Sequence, residues 1–151
     1  MAHPQLSIVI PAYNEGARIE GALERVSSCI AARGWDAEVL VVDDGSRDDT
    51  AAIVHRWMLD NPRLHLIQNP GNKGKGYSVR NGMLQAAGEI VMFTDADLSA
   101  PMEEAERLIA ALADGAVISP VVIMTATARL NSFTRIKTRT RLARFRVMTE
   151  L

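Results

Sequence analysis

Val91-Met92-Phe93-Thr94-Asp95-Ala96-Asp97-Leu98-Ser99 is the stretch on which the reading of this chain turns. An apolar run reaches Phe93 and Thr94, and two carboxylates follow one residue apart. A short apolar run of this kind predicts a buried strand. In an open α/β sheet, ligands bind in the crevice beyond the carboxyl ends of the strands. Two acids at that edge suit a hard divalent cation, because Mg²⁺ or Mn²⁺ takes oxygen ligands and Mg²⁺ usually binds through one or two carboxylates plus substrate phosphates. Asp95 and Asp97 are therefore read as holding a metal-bound nucleotide diphosphate, with the base and ribose contacts to come from elsewhere in the chain.

Working outward, the same pattern recurs. Leu6-Ser7-Ile8-Val9-Ile10 is a β-branched run followed by the loop Pro11-Ala12-Tyr13-Asn14-Glu15-Gly16. Ile19, Leu23, Val26 and Ile30 mark one face of an amphipathic helix that stops near Gly34. Glu38 to Val42 predicts a second strand, again bounded by acids, Asp43-Asp44. Ser46 and Asp49 have capping-box spacing before a helix that carries Ile53, Val54, Trp57 and Met58 and closes at Asn61-Pro62. Leu64 to Ile67 predicts a third strand, and Asn69 to Gly76 a flexible basic loop. A helix from about Tyr77 to Ala87 follows, with Gly82 as a weak point and Gly88 as its C′ residue. Glu89 to Thr94 is the fourth strand. Pro101 then opens a helix whose buried stripe is Met102, Ala105, Leu108, Ile109 and Leu112. This β-α alternation predicts a mostly parallel, Rossmann-like sheet with helices on both faces.

Three loops, Pro11–Glu15, Asp43–Ser46 and Asp95–Ser99, thus meet on one sheet edge. Pro11 and Tyr13 offer flat apolar contact to a base. Glu15 and Asp43 offer acceptors, and the Lys73/Lys75 loop offers cations to phosphate or a lid. No Gly-x-Gly-x-x-Gly follows the first strand, and Gly71 to Ser78 lacks the Gly-Lys-Ser/Thr order of a phosphate loop. His3, His55 and His65 have no metal-ligand spacing.

Composition narrows the function classes. The 151 residues fit one domain, and the 5% aromatic content speaks against a stacking surface for single-stranded nucleic acid. The net charge of -1 hides an acidic body and a basic tail after residue 118. Cys29 is the single cysteine, so no internal disulfide forms; it falls on a helix's apolar face, where a small buried hydrophobe is expected rather than a nucleophile. No secretory signal or membrane span is visible, which leads to the expectation of a cytoplasmic protein.

Taken together, Ser7–Glu15, Val41–Thr50, Asn72–Gly76 and Phe93–Ser99 resemble the inverting family 2 glycosyltransferases of GT-A fold, most of all the dolichyl-phosphate or polyprenyl-phosphate glucosyltransferase-like branch. The resemblance covers roughly Leu6 to Ala116. It implies that Pro11, Ala12, Tyr13 and Glu15 contact the nucleotide base and ribose, that Asp43 binds the base with Asp44 beside it, and that Lys73 lies in the loop closing over the nucleotide. It further implies that Asp95, Ala96 and Asp97 form the Asp-x-Asp motif, with Asp95 and Asp97 on Mg²⁺ or Mn²⁺ and Asp97 the direct ligand. The implied activity is metal-assisted, inverting transfer from a nucleoside-diphosphate sugar, a UDP-sugar favoured, to a polyprenyl or dolichyl phosphate. A catalytic base is not identified.

Residues 119–151 depart from the family pattern. Ala116 to Met124 reads as a fifth strand interrupted by Pro120. Arg135, Lys137, Arg139 and Arg141 alternate with less polar residues, as a strand with one basic face or as a disordered basic arm. A truncated or frameshifted gene product is the simplest account of this tail; the alternative is docking of Arg135–Arg146 on an anionic membrane face. Two other functions stand beside the transferase. One is an inactive remnant that only binds nucleotide. The other rests on the likeness of Asp95-x-Asp97 to the nucleophile motif of haloacid dehalogenase-like phosphatases.

Overall fold

The computed structural model describes residues 4–97, 105 and 121–123. Its elements are β1 (Leu6–Ala12), α1 (Ile19–Arg33), β2 (Ala37–Asp43), α2 (Thr50–Asp60), β3 (Leu64–Gln68), α3 (Lys75–Gln85), β4 (Ile90–Phe93) and β5 (Val121–Ile123). They build one sheet in the order β3-β2-β1-β4-β5, with every neighbouring pair parallel. The chain runs outward from β1 through β2 to β3, then crosses back to place β4 on the other side of β1. That reversal makes the β1–β4 boundary the switch point at which open α/β sheets open a crevice.

β1 and β2 are buried along their whole length because both faces of the sheet are covered there. Leu6, Ile8 and Ile10 of β1 join Val39 and Val41 of β2 against Ile19, Leu23 and Val26 of α1 and Ile53 and Val54 of α2. Val9, Leu40, Val42, Val91 and Phe93 face Met83 of α3. Alternation along β1 thus sends successive residues to opposite layers. Cys29 is buried in the first layer, as its helical position predicts.

Local differences from the sequence reading have physical causes. α3 begins at Lys75, two residues before the expected start, so Lys75 and Gly76 belong to its first turn. Gly82 is the contact point of α3 on the sheet: a Cβ there would lie 2.5 Å from Val9 Cγ1 and 2.8 Å from Val42 Cγ2. Gly88 does not cap α3, whose C-cap is the extended Ala86. Gly88 instead passes over β1, its N–H donating to Ser7 Oγ at 2.8 Å, while Ser7 Oγ donates to the buried Glu38 Oε1. The Ala87 N–H donates to that same oxygen at 2.7 Å, and the chain enters β4 in register with β1.

The capping box at Ser46 and Asp49 does not form. α2 starts at Thr50 with Asp49 at the N-cap and no side-chain cap there, so Ser46 lies too far upstream. Ser46 Oγ accepts from the Asn14 N–H at 2.9 Å instead. β5 pairs with β4 from Val121↔Val91 to Ile123↔Phe93, which adds three residues beyond position 118 to the sheet. Of the helix expected after Pro101, Ala105 is helical and buried. The rest of that helix, His3 and the basic segment Arg135–Arg146 lie outside the described residues. Among the described residues no helix is long and apolar enough to cross a membrane.

Candidate active site

A cavity of about 280 Å³ opens over the carboxyl ends of β1 and β4. It is lined by Pro11, Ala12, Tyr13, Glu15, Asp44, Lys75, Ser78, Asp95, Ala96 and Asp97. The loops after β1 and β4 meet here because the strands pair, with the Thr94 N–H continuing the ladder to the Val9 carbonyl at 3.0 Å. Tyr13 is 43% exposed and presents its ring at the rim.

The β1 loop is stitched to the loop after β2. Asn14 takes a left-handed conformation, φ 53°, which asparagine tolerates better than most residues. Its side-chain oxygen accepts from the Arg47 N–H at 2.8 Å. The Glu15 N–H donates to Thr50 Oγ1 and the Gly16 N–H to Asp48 Oδ2, at 2.9 and 2.8 Å. Asp48 also accepts from the Thr50 hydroxyl and N–H. The Thr50 hydroxyl, joined by the Gly16 and Thr50 N–H groups, holds the Asp48 carboxyl below the ordinary carboxylate value against a smaller opposing effect of burial.

Asp44, 3% exposed, anchors the loop before α3. Its Oδ1 accepts from Asn69 Nδ2 at 2.8 Å and the Lys73 N–H at 2.9 Å, and its Oδ2 from the Gly74 N–H at 2.7 Å. Burial pushes this carboxyl up. The hydrogen bonds from Asn69, Lys73, Gly74 and Ser78 outweigh that and hold it below its ordinary value. The segment expected to be a flexible loop is therefore tied to the sheet through its own backbone. Asn69 in turn donates to Ser78 Oγ at 2.9 Å and accepts from Asn81 Nδ2 at 2.8 Å.

Both lowered carboxyls carry a pH consequence. A group whose folded-state pKa lies below its unfolded value stabilises the fold above the unfolded pKa, near 4, and loses that contribution as pH falls through the folded value. The Tm is therefore expected to fall more steeply below about pH 4. Asp48→Asn should flatten this acid limb in thermal melts between neutral and acid pH, and an unchanged slope would remove Asp48 from the account.

Eight of the ten candidate residues line the cavity: Pro11, Ala12, Tyr13, Glu15, Asp44, Asp95, Ala96 and Asp97. Asp43 and Lys73 are not in its wall. Asp43 is buried at the end of β2, where its Oδ1 accepts from the Ser46 N–H at 3.1 Å. Lys73 contributes its backbone to Asp44. Lys75, the second lysine of the segment expected to offer cations, does line the cavity, together with Ser78. Local spacing accounts for the pair: once the helix starts at Lys75, residues 75 and 78 share a face by i,i+3 spacing.

Asp95 and Asp97 line the same cavity, and Arg25 of α1 steadies the turn by donating to the Asp97 carbonyl at 3.3 Å. Asp95 Oδ1 is buried and no donor is aligned with it, although Lys75 Nζ lies at 2.5 Å. Lys75 therefore meets Asp95 as an ion pair. Among the described residues no group of three or more His, Cys, Asp or Glu forms a closed metal centre. Two carboxylates in an open cavity are an all-oxygen set with positions left for phosphate oxygens, which fits Mg²⁺ or Mn²⁺.

Known proteins share this fold. A mannosyltransferase from Pyrobaculum calidifontis, solved in complex with GDP-Man and Mn²⁺, superposes with a TM-score of 0.57 at 34% identity, over 64% of this chain and 28% of that one. The fold is that of the GT-A glycosyltransferases. The model of glycosyl transferase family 2 matches residues 7–150, and the chain belongs to that family. A dolichyl-phosphate beta-glucosyltransferase of Trichomonas vaginalis is 36% identical over 107 residues, 68% of this chain and 32% of that protein. An undecaprenyl-phosphate 4-deoxy-4-formamido-L-arabinose transferase of Pseudomonas fluorescens is 37% identical over 107 residues, 70% of this chain and 31% of that protein. The chain spans about a third of the length of these curated relatives.

Proposed function

We propose that this protein transfers a sugar from a nucleoside diphosphate, a UDP-sugar favoured, to a polyprenyl or dolichyl phosphate, with inversion at the anomeric carbon. The observation that carries the reading is the cavity at the switch point, which brings Tyr13 and Glu15 together with Asp95 and Asp97. Relatives named for transfer to dolichyl and undecaprenyl phosphate support the acceptor class.

Tyr13 and Pro11 supply apolar surface to the base, and Glu15 supplies a carboxylate to base or ribose donors. Asp43, behind the wall, holds the β2 loop through Ser46. Lys75 and Ser78 face the diphosphate from the first turn of α3, where the helix dipole also favours negative charge. Asp95 and Asp97 would hold the divalent cation, which neutralises charge growing on the leaving diphosphate. In the transfer, an acceptor phosphate oxygen forms the new bond to the anomeric carbon while the bond to the nucleoside diphosphate breaks, and the leaving diphosphate keeps the electron pair. A phosphate monoester has its second pKa near ~6, so it is largely ionised at pH 7 and needs no proton removed. That fits a site in which no catalytic base is identified.

Mn²⁺ with UDP is expected to raise the Tm by several degrees, since a ligand at a hundred times its Kd adds about 2.7 kcal/mol. Asp97→Ala should abolish the shift. Absence of a shift in the unaltered protein would reject the nucleotide site. Because the cavity supplies donor-side residues, nucleotide binding without transfer is the second reading; labelled sugar passing from the nucleotide to a polyprenyl phosphate rules it out.

A further inference from the structure

Lys75 stands at the point where the proposed cation would bind. Its Nζ lies 2.5 Å from Asp95 Oδ1, and among the described residues that is its ion pair. The lysine side chain is 51% exposed and the aspartate 21% exposed, so the cation end is on a solvated stem while its partner is the more enclosed of the two. The contact joins one ammonium to one carboxylate oxygen and involves no backbone group. An ammonium on a four-carbon stem can leave such a contact without disturbing the backbone.

We propose that Lys75 is a resident cation on Asp95, which a divalent metal must displace and which the diphosphate of the nucleotide draws away. The inference rests on the nucleotide-sugar reading of the same cavity. Two cations do not share one carboxylate at close range without strong repulsion, so metal alone competes with Lys75. A diphosphate in the cavity gives the ammonium a second anionic partner, reached from the same helix face as Ser78. Once Lys75 has moved, Asp95 is open to the metal. Metal and nucleotide then strengthen each other, and by linkage the factor is the same in both directions. Lys75 is a positioning residue in this scheme: it sets when Asp95 is available.

The test is Mn²⁺ binding to the full chain, read as the loss of the free Mn²⁺ spin-resonance signal, with and without UDP, each UDP point being corrected for the Mn²⁺ that UDP binds in a protein-free control. In the unaltered protein, UDP should raise Mn²⁺ affinity by tenfold or more. Lys75→Met should tighten Mn²⁺ binding without nucleotide by about tenfold, and the gain from UDP should shrink to what its phosphate oxygens contribute as metal ligands. Arg80→Met, which removes the same charge from an exposed position on α3, controls for bulk electrostatics and should leave Mn²⁺ affinity within twofold. If Lys75→Met fails to tighten Mn²⁺ binding beyond the Arg80→Met control, or keeps the full UDP effect, the inference is overturned while the nucleotide site stands. If the unaltered protein binds no Mn²⁺ even with UDP, the nucleotide-sugar reading falls and takes the inference with it. Circular dichroism of each variant checks that the fold is kept.

Discussion

Asp44→Ala is expected to destabilise the protein by about 2–4 kcal/mol, since a buried donor left without a partner costs about 1–3 kcal/mol and this carboxylate satisfies one buried and two part-buried donors. The stranded groups would be Asn69 Nδ2 and the N–H groups of Lys73 and Gly74. A loss of that size is a large share of the 5–15 kcal/mol that holds a typical domain together. The same change frees the segment that leads into Lys75, so UDP affinity should fall with stability. Asp44→Asn keeps the volume but points an amide N–H₂ at backbone donors, and its effect should lie between. Urea unfolding at neutral pH gives the comparison. A change below about 1 kcal/mol for Asp44→Ala would mean that water replaces the carboxylate and that the anchoring role is misassigned.

Gly45→Ala is expected to cost about 2–4 kcal/mol, from two sources that act together. Gly45 has φ 78°, a conformation an alanine takes only with strain. Its added Cβ would lie 2.8 Å from Gly71 Cα and 2.9 Å from the Gly71 carbonyl carbon. Those are backbone atoms, so relief requires the two loops to part. The loops are the ones Asp44 joins, so the Asp44 and Gly45 effects should not add: the double variant should lose less than the two single losses combined. Unfolding curves with an unchanged denaturant slope would show that stability moved and the native fold did not. Full additivity would show that the two residues support separate contacts.

Much of this fold is readable from the chain because its elements obey simple periodicities. The β-branched run at Leu6–Ile10 and the four-three-four spacing of Ile19, Leu23, Val26 and Ile30 give β1 and α1 without reference to anything distant. The acids after β1, β2 and β4 mark the functional edge, since parallel strands share that edge. What is not readable is contact between loops. Ser46 has the spacing of a cap, yet it serves Asn14, thirty-two residues away in the chain. Gly82 and Gly88 read as helix punctuation, and both turn out to be close-approach points against β1. Lys73 and Lys75 are indistinguishable as neighbours in a basic segment. The start of α3 at Lys75 separates them, because Asp44 fixes the backbone just before it. The misses at Ser46, Gly82 and Gly88 concern long-range partners that no local pattern encodes.

The position of β1 between β2 and β4 has a consequence for how the molecule comes into being. The β1–β2 and β2–β3 pairs join segments close in sequence, whereas Leu6 must wait for Ile90 to complete the other side of β1. Closing the longer loop costs more chain entropy, and pairing of such distant parallel strands is intrinsically slow. A chain emerging from the ribosome can assemble β1, β2 and β3 with α1 and α2 well before Asp95 and Asp97 exist to be placed. Until β4 docks, the open edge of β1 offers unpaired backbone groups to any other strand. The step that shields this edge from aggregation is the same step that brings the two aspartates to Tyr13 and Glu15, so a nascent chain becomes safe and becomes able to hold its ligand at one moment.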